Sequence, residues 1–400
     1  MLKLLKYLLL IPLVLLSLWI LFLNARLYHT PKIIQNQQGQ INQEVIYQLY
    51  HLKEQFGRGA AQDMQRLFPE GFIFLHSLYA LAWSDIASDL NPESEDFTNA
   101  IKEIDTSLGR IQSEEGKRNF PKDMDFTYGA FYNGWAAYTM GSRLTLQSDS
   151  LLVIRFQSIC QRIANAYRKN DYNYLKTYEG GTWPADNILC LASLRLHDRI
   201  FKPEYQSVID SCLFQIKEKL DLETNLIPHS IDTESAEVRE GARGSSQSLV
   251  NNFLIEIDST FAFEQFQIYK DLFVENRLGL IGIRAYPKGR VGKGDVDSGP
   301  VIWDIGGAAS IVGMRTFMRY GEVEIARSLQ NSVEAFGMPL RWNKKKRYLF
   351  GVLPMADAFI AWGNALNQKQ LAKPSFPKGK FHLISLGLLA MFGFCIYILK

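Results

Sequence analysis

Four cysteines and six histidines in 400 residues leave little material for thiol or metal chemistry. No HxxxH or HExxH pair occurs and the carboxylates are spread over separate segments, so no metal ligand set is read from the chain. There is no GxSxG elbow, no Walker loop and no complete GxGxxG, and no cofactor is expected. Charge of one sign is also lacking. Forty-four basic against 41 acidic residues leave a net +3, and no basic stripe carries interleaved aromatics, which argues against nucleic acid as a partner. Cys395 falls in a terminal apolar run, and Cys160, Cys190 and Cys212 lie at helical positions without a CxxC pair. A Cys190–Cys212 bridge between adjacent antiparallel helices is conceivable; small buried side chains are the simpler reading. Strand-like alternation is scarce, and 280–285 and 348–352 are the two places where short strands are expected.

Long apolar runs are present at both ends. Tyr7 to Leu23 is uncharged, follows Lys3 and Lys6, and lacks a small-x-small cleavage site, so it reads as an uncleaved anchor. Phe381 to Leu399 is a second uncharged run. The expected organisation is a transmembrane anchor over 1–23, a polar tether over 24–40, one domain over 41–368, a Pro- and Lys-rich linker over 369–380, and a transmembrane helix over 381–400. The bilayer is thus an expected partner. Lys3 and Lys6 favour a cytoplasmic start and an extracytoplasmic (periplasmic) domain, although Lys373, Lys378 and Lys380 run against that bias.

Between the runs the chain has a rhythm. Polar loops near Pro69-Glu70-Gly71, Asp125-Phe126-Thr127, Thr182-Trp183-Pro184, Arg243-Gly244-Ser245, Asp295-Val296-Asp297 and Leu353-Pro354-Met355 follow one another about every 52–61 residues. That period holds one helical hairpin. After each loop comes an apolar stretch with no wet face: 72–87, 129–140, 188–196, 248–257, 301–317 and 356–366. Between these lie one-sided amphipathic stretches around 45–56, 97–108, 148–168, 202–220, 258–275 and 322–336. Helices buried on all sides alternating with half-wet ones predict an inner ring within an outer ring. The fold class is all-α, an (α/α)6 toroid of six hairpins flanked by an N-terminal and a C-terminal transmembrane helix, with the six polar loops around one end of a funnel.

The loops are where chemistry is sought. In the third, Gly180-Gly181-Thr182-Trp183-Pro184-Ala185-Asp186-Asn187, two glycines allow sharp bends and Pro184 suits a first helical turn. Asp186 and Asn187 then sit at a positive helix end beside Trp183, where the carboxylate acts as acid or base or merely caps. The fifth loop, 286–300, is glycine-rich and offers Tyr286, Asp295 and Asp297 ahead of Trp303. The fourth offers His229, Glu240 and Arg243, and the second Asp125 with Tyr128 and Tyr132 spaced i, i+4. Carboxylate acid/base chemistry is the most economical enzymatic reading, with Asp186 and Asp297 opposed across the funnel and Asp125 and Glu240 as further candidates. Tyr128, Tyr132, Trp183, Asn187, His229, Arg243, Tyr286, Asp295 and Trp303 are the candidate substrate contacts.

The hairpin rhythm resembles the (α/α)6 toroids of many glycoside hydrolases, polysaccharide lyases and terpenoid-processing enzymes. Within that group Gly-Gly-Thr-Trp-Pro-Ala-Asp-Asn and Asp-Val-Asp-Ser-Gly-Pro are similar to bacterial linalool dehydratase/isomerase-like proteins. The resemblance implies a hydrolase or lyase acting on an envelope glycan, or a lyase/isomerase acting on an isoprenoid or other hydrophobic lipid alcohol. A non-catalytic scaffold binding a glycan or an envelope protein is the competing class.

Overall fold

In the computed structural model, residues 2–35, 38–295, 298–366 and 376–399 are described. Their helices alternate between two layers. The outer layer holds α1 (Gln43–Gly57), α3 (Glu95–Ile111), α5 (Ser150–Arg168), α7 (Gln206–Glu218), α9 (Ser259–Phe273) and α11 (Val323–Phe336). The inner layer holds α2 (Gly71–Ala87), α4 (Gly129–Leu144), α6 (Pro184–Ile200), α8 (Gly244–Ile257), α10 (Gly307–Arg319) and α12 (Pro354–Ala365). Each inner helix packs against the next, and α12 packs back on α2, which closes the ring. The outer helices lie against it: α3 on α2 and α4, α5 on α4 and α6, α9 on α8, α11 on α10, and α1 on α12 and α2. This is the six-hairpin toroid.

The layers follow from composition. Nearly every residue of α2 and α4 is buried, whereas α5 buries one stripe, Leu152, Phe156, Ile159, Ile163 and Tyr167. At mid-height the ring is filled. Phe74 on α2 meets Phe131 and Trp135 on α4 and Phe359 on α12, with ring centroids 4.9, 5.2 and 5.2 Å apart. Trp135, Phe253 on α8 and Trp362 on α12 touch one another across the axis at 6.0–6.3 Å. Below them, Arg315 pairs with Asp85, while Arg319 and Tyr138 both bond Glu256.

A recurrent device fixes the loops. The fourth residue of five inner helices reaches into the segment before it. Tyr132 donates to the Ile111 carbonyl, Asn187 accepts from the Leu175 amide, Gln247 donates to the Ile227 carbonyl, Ser310 accepts from the Ile283 amide and Asp357 accepts from the Tyr348 amide. Each bond satisfies a backbone group of the preceding segment that the ring takes out of water.

Two expectations at the element level change. The stretch 301–317 is a helix only from Gly307; Val301–Ile302 and Ile305–Gly306 form a hairpin whose turn, Trp303-Asp304, has positive φ at both residues. The strand expected at 348–352 is a 3-10 turn, Leu349–Gly351, following the hairpin Leu340–Trp342/Lys345–Arg347. At 280–285 a strand does form, Leu280–Ile283, paired with Val274–Arg277.

Two helices, Leu2–Arg26 and Gly379–Leu399, are long and apolar enough to cross a membrane, and both lie outside the ring. They pack on each other, joined by Asn24 to Ser385 (2.9 Å) and Asn24 to His382 (2.6 Å). The N-terminal helix also packs along α11. Arg26 bonds Glu334, and Lys346 bonds Glu334 and Glu44 in a buried cluster completed by His29 and the Tyr348 hydroxyl. Burial opposes ionisation of Glu44, but hydrogen bonds from His29 and Lys346 outweigh it and hold the carboxyl at about 2. Among the described residues, His29, Glu44 and Glu334 have the donor set of a cation site. Here Arg26 and Lys346 already balance both carboxylates.

Candidate active site

The six loops lie at one end of the ring, above the aromatic layer. The third is held by local bonds: the Trp183 amide donates to Thr177 Oγ1 (3.0 Å) and the Thr177 amide to the Gly181 carbonyl (3.0 Å). It lies on the start of α4, where the Ala130 amide donates to the Lys176 carbonyl (2.9 Å). At Gly129, φ is +74° and a Cβ would stand 2.1 Å from the Thr177 carbonyl oxygen, so only glycine allows this approach.

Asp186, the third residue of α6, is buried at the helix start. Burial and the nearby Glu70 raise its carboxyl to about 8, against the smaller effect of a hydrogen bond from Thr177. It is therefore a neutral acid at pH 7. Glu70 stands immediately before α2, two repeats from α6 around the ring. An aromatic wall borders them: Tyr178 meets Trp183 at 5.3 Å and Phe131 at 5.9 Å.

A second cluster adjoins the first, since the Ile231 amide donates to the Thr182 carbonyl (3.1 Å) and Thr182 and Thr233 share a hydroxyl bond of 2.6 Å. Ser246 is the third residue of α8, the position Asp186 holds on α6, and its hydroxyl bonds His229 Nδ1. Burial, helped by Arg243, lowers His229 to about 4 against the opposing pull of Asp295, leaving a neutral imidazole. Glu240 lies 3.8 Å from His229 Nε2 and 3.4 Å from Arg243, and burial raises its carboxyl. Arg243 is itself buried, paired with Asp295, bonded to Ser298 Oγ (2.8 Å), and 5.1 Å from the Tyr286 ring centroid. Burial works against the Asp295 charge, but bonds from Arg243 and Ser298 win and hold it well below the usual carboxylate range.

The structure thus brings together Asp186 and Trp183 in one cluster, and His229, Glu240, Arg243, Tyr286 and Asp295 in the next. Asp125 is exposed, outside both clusters. Tyr128 has a left-handed backbone (φ 70°) and leans on Tyr132, whose hydroxyl is engaged by Ile111. Asn187 is fully buried, with its amide spent on Leu175 and the Tyr167 hydroxyl. Trp303 projects into solvent at its hairpin turn. Asp297, expected opposite Asp186, lies outside the described residues. Sequence reasoning missed Glu70, although Pro69-Glu70-Gly71 marks the start of α2 as Trp183-Pro184 marks that of α6. It also missed Ser246 and Asp357. Asp357 is buried with Oδ1 on the Tyr348 amide (2.7 Å) and Oδ2 without a bond; burial pushes it up to about 7. Cys190, Cys160 and Cys212 are free and buried, and burial raises all three thiols.

No protein-family model matches the chain, and no curated protein matches it. Among solved structures, an unsaturated glucuronyl hydrolase specific for heparin is similar at 12% identity and a TM-score of 0.49, over 73% of this chain and 84% of that one. A D-mannose isomerase is similar at 9% identity and a TM-score of 0.44, over 78% of this chain and 86% of that one. Both likenesses are distant; the ring itself is established by the chain's own interhelical contacts.

Proposed function

We propose that the protein is a membrane-anchored toroidal enzyme that cleaves a glycosidic bond of an envelope glycan by carboxylate acid/base chemistry. The observation that carries this reading is a buried Asp186 at the loop end whose carboxyl is raised to about 8 by burial and by the charge of Glu70. In hydrolysis, the Asp186 carboxyl gives its proton to the leaving oxygen as the C–O bond breaks. The Glu70 carboxylate takes a proton from the attacking water as the new C–O bond forms. In elimination, Glu70 would take a carbon-bound proton instead. Tyr178 and Trp183 offer ring faces to a sugar, and His229 and Arg243 offer polar contacts. Asp297 keeps its place as a further candidate carboxylate.

The test is mass-spectrometric product analysis on the full chain in lipid nanodiscs, offered envelope oligosaccharides and, separately, isoprenoid alcohols. Asp186→Asn is expected to lose about 100-fold or more of turnover while melting no lower than wild type. Turnover that survives this substitution removes Asp186 from the role. Products from the alcohols alone would move the protein to lipid-alcohol chemistry, and binding without turnover to the scaffold class.

A further inference from the structure

We infer that the loop end of the ring lies on the bilayer surface, so that the end of the ring bearing Asp186 faces lipid. The inference rests on the reading that the two terminal helices cross the bilayer. Three observations carry it.

The first is the direction in which those helices leave. Arg327 on α11 bonds Thr30 (3.1 Å), whereas Glu334, seven residues further along α11, bonds Arg26. Leu23 and Leu27 pack with Ala335 next to it, together with Trp19, Phe22, Leu280 and Phe381. The N-terminal helix therefore runs antiparallel to α11 and passes its C-terminal end, which leads into the sixth loop. The second helix does the same. The Phe376 amide bonds Ser328, and Lys380 and Phe381 then lie beside Gly279, in the hairpin turn of the fifth-loop region.

The second is length. The uncharged run Tyr7 to Leu23 spans about 26 Å as a helix, against a hydrocarbon core of about 30 Å. Trp19, Phe22 and Leu23 are already packed against Ala335 and Leu280. No apolar helix is left to bridge a gap between the bilayer and the protein, so the hydrocarbon edge must come level with the rim.

The third is the distribution of exposed apolar side chains. Leu222 (95%), Trp342 (85%), Val291 (84%), Val352, Trp303 and Phe350 all stand on the loops of this end. Among the described residues, the opposite-end loops at 88–94, 145–149, 201–205 and 320–322 expose no large apolar side chain, and the helix starts beside them expose Leu151, Ile154 and Phe263 to 64% at most. The sixth loop, 337–353, also exposes Arg341, Lys344 and Arg347 and has no acidic residue. Indoles at the interface and lysines at anionic headgroups suit such a surface. The occupant is thus an anionic bilayer, and a substrate reaching Asp186 is an amphiphile whose reacting polar group is carried at headgroup level.

Nitroxide depth measurements on the full chain, in phosphatidylcholine vesicles containing phosphatidylglycerol, test this. Labels are placed through Trp342→Cys, Val352→Cys, Ser148→Cys (opposite end) and Leu388→Cys (inside the C-terminal helix), in a Cys395→Ser background. Expected is an oxygen-to-nickel-chelate collision ratio severalfold higher at 342 and 352 than at 148. Values at 342 and 352 equal to that at 148, with lipid-like values at 388, overturn the inference and leave membrane anchoring intact. Water-like values at 388 as well overturn both. Lys344→Glu, at the exposed hairpin turn, is expected to shift the 342 label toward water without altering helicity.

Discussion

At the level of single residues, environment decides more than identity. Asp186 and Asp357 are both aspartates near the start of an inner helix, and both are raised by burial. Their tasks differ by one position: the third residue faces the loop end, while the fourth ties down the preceding loop. Asn187 performs on α6 the task that Asp357 performs on α12. An Asp357→Asn protein therefore keeps the acceptor for Tyr348 and loses the ionisation problem. The sign follows from linkage. A carboxyl at about 7 when folded and near 4 when unfolded binds more protons in the folded state, so stability falls as pH rises from about 4 to about 7. Asp357→Asn should raise the melting temperature at pH 8, by about 1–4 kcal/mol of stability, and change little at pH 4; thermal melts at the two pH values check this. Likewise, Glu70→Gln should lower the titration midpoint of Asp186 below about 8, read by carboxyl difference infrared spectroscopy against Asp186→Asn. A structural residue with no charge coupling to Asp186 would leave that midpoint unmoved.

At the level of elements, the helices were legible because their burial is periodic. The stripe Leu152, Phe156, Ile159, Ile163 and Tyr167 announces an outer helix, and the unbroken apolarity of 72–87 an inner one. The fifth loop was legible only in part. Val301-Ile302 reads as the start of an apolar helix, yet Trp303 and Asp304 adopt left-handed conformations and Asp304 is held by Arg277 and Arg284. Those two arginines lie about twenty residues or more upstream, beyond any local pattern. The site divides the same way. Asp186 stands out locally, through Pro184 and the paired glycines. Glu70 acquires meaning only when α2, α4 and α6 pack side by side and bring the first repeat's loop within charge range of the third's. At the loop-to-helix junction, Gly129→Ala should cost about 1–3 kcal/mol, since the methyl meets the Thr177 carbonyl at a positive φ. The loss should appear as a lower melting point and faster amide exchange in 174–183.

For the molecule as a whole, the N-terminal helix and the ring are tied together. The cluster of Arg26, Glu44, Glu334 and Lys346 joins the N-terminal helix to α1, α11 and the sixth loop. Removing one cation from a buried balanced group strands a carboxylate, so Lys346→Met should destabilise by about 3–5 kcal/mol, visible as a large drop in melting temperature in detergent. Acid should loosen the same joint. With Glu44 at about 2 when folded, its contribution is present above about 4.5 and fades as pH falls toward 2.

The aromatic layer at mid-height gives the ring only one door. Because Trp135, Phe253 and Trp362 meet across the axis, nothing can be threaded from one end to the other. Whatever enters must back out the way it came. A chain that entered end-first would therefore be held by that end alone, and could leave only by withdrawing it.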